Sequence, residues 1–287
     1  MLVKKFLHTV IMFYRKILKI IFLNLFNLIN FLPKGRFATT DGLDAIFKKK
    51  TKIQLDLWPL EFHTPNWITH YRATSISQKE PETLKWIESM VEGSVLWDVG
   101  ANIGTFSIIA ARRNIRVVSI EPSFMNIELL NRNVISNGVA DTVTILPFGL
   151  GSKTSVVDFF MSSQYLTWGG AHNSLGANIG AGGKSMENPV RTQAPCFTID
   201  KLLEILHLPT PTHLKIDVDG LEVEVLKGAL NALKNISSIL IEVDSEFFGH
   251  AEGVKEILEG CSFINVMSGS DTKGSYNQIW QKITTAN

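Results

Sequence analysis

The sequence predicts an α/β fold, a mostly parallel sheet with helices on both faces, and three observations carry that prediction. Residues Val95 to Ser107, VLWDVGANIGTFS, pass from a short apolar run through a glycine-containing turn into a helix-like pattern. A second apolar run, RVVSIEP, ends on Glu121 at roughly the spacing that one intervening helix requires. Strand-like and helix-like stretches then keep alternating, as they do where crossover helices link parallel strands.

The first element is the most specific. Gly100 and Gly104 permit a tight turn and close approach to a ligand, and the helix that follows offers unpaired N–H groups at its amino terminus. A plain turn uses glycine too, so the spelling between the glycines matters. A dinucleotide loop needs bare backbone where the pyrophosphate sits, and Asn102 holds that position here. Its side chain would crowd a pyrophosphate but suits a ligand without one, such as S-adenosylmethionine, whose amino-acid end needs polar partners. Glu121 falls where a carboxylate takes the ribose hydroxyls of a nucleoside ligand; an ordinary solvated strand end is the plainer reading.

The later elements follow in order. Ile127, Leu130 and Val134 form one helix face, closed by Asn137-Gly138, and VTILPF reads as a third strand. After VVDFF and a glycine-rich stretch comes FTIDKLL. THLKIDVD then resumes the sheet, ISSILIEV runs beside it, and FINVMS with NQIWQK reads as a closing pair. Ligands of such sheets gather at the strand carboxyl ends.

WDVGANIGTFS, SIEPSFMNIELLNRNVISNG, FTIDKLL and LKIDVDGLEVEVLKGA, taken in that order, resemble the FkbM family of S-adenosylmethionine-dependent methyltransferases over roughly Lys79 to Val243. Asp219 stands where the family usually has Glu, which keeps the carboxylate and shortens its reach. The resemblance implies a Rossmann-like class I methyltransferase fold with seven strands, and methylation of an oxygen on a glycan, lipid-linked sugar or small metabolite. It also implies a donor site built from Asp98, Gly100, Ala101, Asn102, Gly104, Thr105, Phe106 and Glu121, with Phe148 and Gly149 at the adenine. An NAD-dependent oxidoreductase and a non-catalytic donor-binding protein are the rival readings; Asn102 argues against the first.

Methyl transfer is an in-line displacement, so the protein aligns the acceptor and excludes water, and a base helps when a hydroxyl must lose its proton. Asp217 and Asp219 end the LKIDVDG strand, and Glu242 and Asp244 end its neighbour. Asp217 and Asp219 are therefore the candidates for acceptor orientation or proton removal. Otherwise Asp219 caps the helix starting near Leu221 and Asp217 holds a loop. A divalent ion shared by Asp217 and Glu242 or Asp244 satisfies hard-oxygen chemistry, but spacing alone establishes no metal ligand. Lys215 and Glu222 read equally well as structural ion-pair partners.

The stretch Trp168–Lys184 repeats the pentapeptide GANIG of positions 100–104 at 176–180. The second copy follows no apolar strand and opens no helix, so it marks flexibility within an insertion over 162–190. Gly183-Lys184-Ser185 imitates the end of a phosphate loop, but Asn178 replaces the leading glycine. As a lid, the insertion would bring His172 or Asn173 to the acceptor, with His172 as a candidate base.

Residues 1–50 carry ten Lys or Arg against Asp41 and Asp44, an excess of +8 that leaves −7 on the remainder of a chain whose total is +1. An acidic body argues against a nucleic-acid partner. Helical spacing from Val3 to Leu32 sets Lys4, Lys5, Arg15, Lys16 and Lys19 opposite Val3, Phe6, Val10, Phe13, Ile17 and Ile21. This basic amphipathic helix is expected to lie on a membrane surface, since the uncharged run Ile20–Leu32 is too short to cross one. Pro33 closes it, residues 34–92 are expected to cover one edge of the site, and residues 93–287 to form the catalytic domain. In the covering segment LDLWPL reads as one strand, PETLKWIESM as a helix with Leu84, Ile87 and Val91 inward, and Tyr71–Ser75 as a solvated loop. Cys196 and Cys261 have no redox or metal spacing, in keeping with a cytoplasmic, peripherally attached protein.

Overall fold

The structure, a computed structural model, describes residues 17–29, 31–32, 37, 41–42, 45, 48–55, 58–269 and 274–283. The chain divides into two compact units, Met1–Lys49 and Lys50–Asn287. In the first, residues 17–29 are helical, with Leu18, Ile21, Leu25 and Leu28 all more than half exposed. Residues 1–16 of the expected amphipathic helix, and with them Lys4, Lys5, Arg15 and Lys16, lie outside the described residues. Among the described residues no helix is long and apolar enough to cross a membrane.

The second unit opens with β1 (Lys50–Leu55) and β2 (Trp58–His63), an antiparallel pair where the sequence reading expected a single strand. Three short helices follow: α1 (Trp67–Thr74), α2 (Ile76–Lys79) and α3 (Pro81–Glu88). The expected loop at Tyr71–Thr74 is therefore helix. Its start is fixed by a capping box, in which Asn66 Oδ1 accepts from the Thr69 N–H while the Thr69 hydroxyl accepts from the Asn66 N–H. On α3, Leu84 and Ile87 are buried as expected. Val91 is not: it lies past the helix end and is 75% exposed.

The main sheet is built from β3 (Val95–Val99), β4 (Arg116–Ile120), β5 (Val143–Leu146), β10 (His213–Ile216), β11 (Ser238–Asp244), β12 (Phe263–Ser268) and β13 (Ser275–Lys282). Its seven strands run in the order β12-β13-β11-β10-β3-β4-β5. All neighbours are parallel except β13, which is antiparallel to both β11 and β12. The central strands are mostly apolar because both faces are covered, with Asp98 of β3, Ser119 of β4 and Lys215 of β10 as buried exceptions. Alternate residues serve different cores: Trp97, Val99 and Ile241 pack on one face, Leu96 and Leu240 on the other. The helices are α4 (Thr105–Arg112), α5 (Phe124–Ser136), α6 (Ile199–Leu206), α7 (Glu222–Lys227) and α8 (His250–Gly260).

A second sheet was not foreseen. β6 (Gly149–Leu150), β7 (Ser155–Met161), β8 (Asn173–Leu175) and β9 (Val190–Phe197) pair in the order β6-β9-β7-β8. Thus part of the expected flexible insertion is a strand, which brings the glycine-rich segment over the carboxyl ends of β3 and β4.

Candidate active site

Gly100 ends β3 at φ +83, where a Cβ would stand 1.8 Å from the Asp217 carbonyl oxygen. Only glycine fits so close a crossing of β3 and β10. The N–H groups of Gly100 and Ala101 donate to the Ile120 carbonyl, tying the loop to β4. Asn102 has φ +51, a conformation asparagine tolerates better than most residues, and its N–H donates to Glu121 Oε2 at 2.9 Å. Ser123 N–H donates to Oε1 at the same distance. Burial nevertheless pushes the Glu121 carboxyl up to about 7, against the pull of those two N–H donors. Gly100, Asn102, Glu121, Gly149 and Asp217 face one cavity, together with Arg72 and Asn126. The Asn102 Oδ1 atom is buried without a hydrogen-bond partner.

Other candidates sit elsewhere. Gly104 faces α5, where a Cβ would meet Leu130 at 2.2 Å, and Ala101 is buried within the loop. Asp98 lies beneath it, accepting from the Ser107 hydroxyl at 2.6 Å and standing 3.6 Å from Lys215. Thr105 and Phe106 line a neighbouring cavity. Phe148 packs its ring on Phe197 with centroids 4.7 Å apart and is not among the residues that line the cavity, whereas its neighbour Gly149 is.

Burial opposes ionisation of Asp217, yet Lys215 Nζ at 3.0 Å outweighs it, and the carboxyl is held below its ordinary range. Asp219, two residues on, goes the other way: burial raises it, with His172 opposing. Asp219 does not cap α7. Its Oδ2 accepts from the His172 N–H at 2.7 Å, while Glu222 accepts from the Val218 and Gly220 N–H groups and so holds the turn before α7. The His172 ring is 40% exposed, with Nδ1 3.9 Å from Asp219. Asp219, Glu222, Glu242, Asp244 and Glu246 line a third cavity with His172 and His250. There burial and the facing carboxylates Asp217, Asp219 and Glu222 drive Glu242 well above its ordinary range. Among the described residues no three His, Cys, Asp or Glu side chains are grouped to hold a metal, so the sequence-level suggestion of a divalent ion gains no geometry.

The cavity's outer wall is the turn Trp168–Gly170. Asn66 Nδ2 donates to the Trp168 carbonyl, Arg72 Nε to Gly169, and both Asn102 and Asn126 to Gly170, at 2.7 to 3.1 Å. The Gly169 N–H returns a bond to Asn126 Oδ1. Sequence reasoning assigned no role to Arg72, Asn66 or Asn126. For Asn126 a signal existed, because it lies on the inward face of α5 with Leu129, Leu130 and Asn133, where an amide must find partners.

Residues 98–265 match the model of the methyltransferase FkbM domain. The chain belongs to the FkbM methyltransferase family. Among curated proteins, the hexuronic acid methyltransferase AglP of Haloferax volcanii is 32% identical over 157 residues, covering 55% of this chain and 59% of that one. The chain thus spans somewhat under two thirds of its curated relative. Solved structures that align with this FkbM-family chain include a precorrin-6y C5,15-methyltransferase from Geobacter metallireducens, at 16% identity over 71% of this chain and 87% of that one, TM-score 0.42. A tRNA m1G37 methyltransferase from M. jannaschii aligns at 12% identity over 82% and 57%, TM-score 0.45.

Proposed function

We propose that the protein is an S-adenosylmethionine-dependent O-methyltransferase acting on a hydroxyl of a glycan-type acceptor. The observation that carries this reading is the cavity itself, which Gly100 and Asn102 of the glycine loop line together with Glu121 and Asp217. A ligand with vicinal hydroxyls and an ammonium group suits a lining so rich in acceptors. When bound, S-adenosylmethionine supplies the electrophilic methyl group and departs as a neutral thioether. Glu121 accepts from the ribose, Asn102 from the amino-acid end, and the turn Trp168–Gly170 keeps water from the wall. Asp217, ionised beside Lys215, accepts a hydrogen bond from the acceptor hydroxyl; Asp219, with its raised carboxyl, is the better base of the pair. The sugar-acid substrate in the name of the relative from Haloferax volcanii supports a glycan acceptor.

Calorimetry with S-adenosylmethionine and NADH tests the donor, and Glu121→Ala should weaken methyl-donor binding by at least ~1.5 kcal/mol. Tighter binding of NADH would sink the reading. For the chemistry, Asp217→Asn and Asp219→Asn should between them identify one position where turnover falls ~10²-fold while donor affinity holds. Loss of donor binding at both would mean a collapsed loop instead.

We propose further that residues 1–32 attach the protein to the cytoplasmic face of an anionic membrane. Five Lys or Arg opposite an apolar face support this, at about 1 kcal/mol each near such a surface. Liposome flotation should weaken with salt and with the substitution of those five residues by Gln. No flotation of the intact chain would remove the membrane.

A further inference from the structure

We propose that the cavity beside the donor cavity, walled by α1, α2 and the first turn of α4, seats the acceptor and grips an anionic group on it, such as a sugar carboxylate, with Arg72 and Lys79. This rests on the methyl-transfer reading above and adds the acceptor's place and charge.

The cavity is lined by Tyr71, Arg72, Ser75 and Lys79 on its polar side and by Ile68 and Phe106 on its apolar side. That mixture matches a sugar, whose ring C–H face packs on aromatic carbon while its edge needs hydrogen bonds. Arg72 lines both this cavity and the donor cavity, so it stands where the two adjoin. Its Nε is committed to the Gly169 carbonyl at 2.7 Å, which fixes the plane of the guanidinium and presents its terminal nitrogens as a fork suited to a carboxylate. Lys79 supplies a second cation, half neutralised by Glu80 at 3.3 Å. With Glu80 offsetting one charge, the lining keeps a net positive charge.

The third cavity has the opposite character. Five carboxyl groups line it against two histidines, so a uronate there would meet predominantly like charge. Asp217 links the basic cavity to the chemistry, for Lys79 and Arg72 both lie close enough to favour its ionised form. An acceptor held at Arg72 and Lys79 therefore has its hydroxyl side near the carboxylate assigned to orient it.

Titration of the full chain with glucuronate, glucose and glucosamine, each with and without S-adenosylhomocysteine, tests the assignment. Glucuronate should bind at least ~10-fold more tightly than glucose. Lys79→Gln, which changes a half-exposed side chain outside the donor cavity, should remove most of that preference while S-adenosylhomocysteine affinity stays within about twofold. Arg72→Gln should remove it too, and Arg72→Lys should restore part of it. Equal binding of glucuronate and glucose, or a preference that survives both Gln variants, overturns the inference. Tighter binding of glucosamine would move the acceptor to the acidic cavity. Failure to bind S-adenosylhomocysteine, with the glucuronate preference intact, would instead defeat the methyl-transfer reading and leave the anion subsite standing.

Discussion

The pentapeptide GANIG occurs twice in this chain, and the two copies share little beyond their letters. At 100–104 it is folded between β3 and α4: Ala101 and Ile103 are buried, Gly100 abuts the Asp217 carbonyl, and Asn102 is bonded through both backbone and side chain. At 176–180, Gly176 and Ala177 are exposed, a Cβ on Gly176 would meet nothing within 4 Å, and Asn178 bonds only to the backbone of Met186. Five identical residues thus form a cavity-lining loop in one place and a more exposed turn in the other. The difference lies in what precedes and follows: a buried parallel strand and an α-helix in the first case, the three-residue antiparallel strand β8 and a single 3-10 turn in the second. A short motif is informative only with its flanks.

This pair is a built-in control, and the largest contrast should come from its first glycine. Gly100→Ala should cost at least about 3 kcal/mol, since a Cβ must displace β10 backbone as well as occupy positive φ; Gly176→Ala should cost about 1 kcal/mol, from φ alone. Urea denaturation compares them, and similar losses would mean that the Asp217 contact yields easily.

Next in size is an effect only the first copy can have, because only its Asn102 N–H meets a buried carboxylate. Glu121 carries a carboxyl raised to about 7 in the fold, from its ordinary 4.5 in the unfolded chain. The folded state therefore holds the extra proton between those values, and its stabilising contribution, present below the lower one, is lost as pH rises through about 7. Glu121→Gln should flatten that decline, which is of order 3 kcal/mol for the ligand-free protein. Methyl-donor affinity in the parent protein should improve over the same interval, as ribose hydroxyls favour the ionised carboxylate. A Glu121→Gln variant with an unchanged stability profile between pH 4.5 and 7 would assign the decline to other groups.

The smallest contrast is between the asparagines. Asn102→Ala removes a buried bond to Gly170 and should cost about 1–2 kcal/mol together with donor affinity; Asn178→Ala should cost under ~1 kcal/mol and leave donor binding alone. Donor affinity unchanged in both would detach Asn102 from the ligand.

The core of the fold was legible because its signals are local. Short, mostly apolar runs mark β3, β4, β10 and β11, Gly100 and Glu121 mark the turn and strand end, and the closing pair β12–β13 is visible in its sequence. What stayed hidden depends on long-range pairing. Nothing adjacent to Arg72 announces that its guanidinium meets Gly169, nor does FMNIELLN announce a receiving carbonyl for Asn126. The four-stranded sheet escaped because β9, VRTQAPCF, is broken by the polar run Arg191–Gln193 and holds a proline, while β6 has only two residues. Phe148 was assigned to the cavity by resemblance, and the competing aromatic Phe197 lies 49 positions away.

The wall at Trp168–Gly170 also bears on the order of events in folding. Its bonds to Asn66 and Arg72 close loops of about a hundred residues, whereas β3, α4 and β4 assemble from neighbours in the chain. Closing so long a loop is entropically costly before any bond forms, and such contacts characteristically arrive late. A refolding chain should therefore regain the local β3–α4–β4 unit before it regains affinity for the methyl donor, because both the wall and the pairing of β3 with β10 wait on the closure of loops of about a hundred residues: for an interval its glycine loop is framed and blind to its ligand.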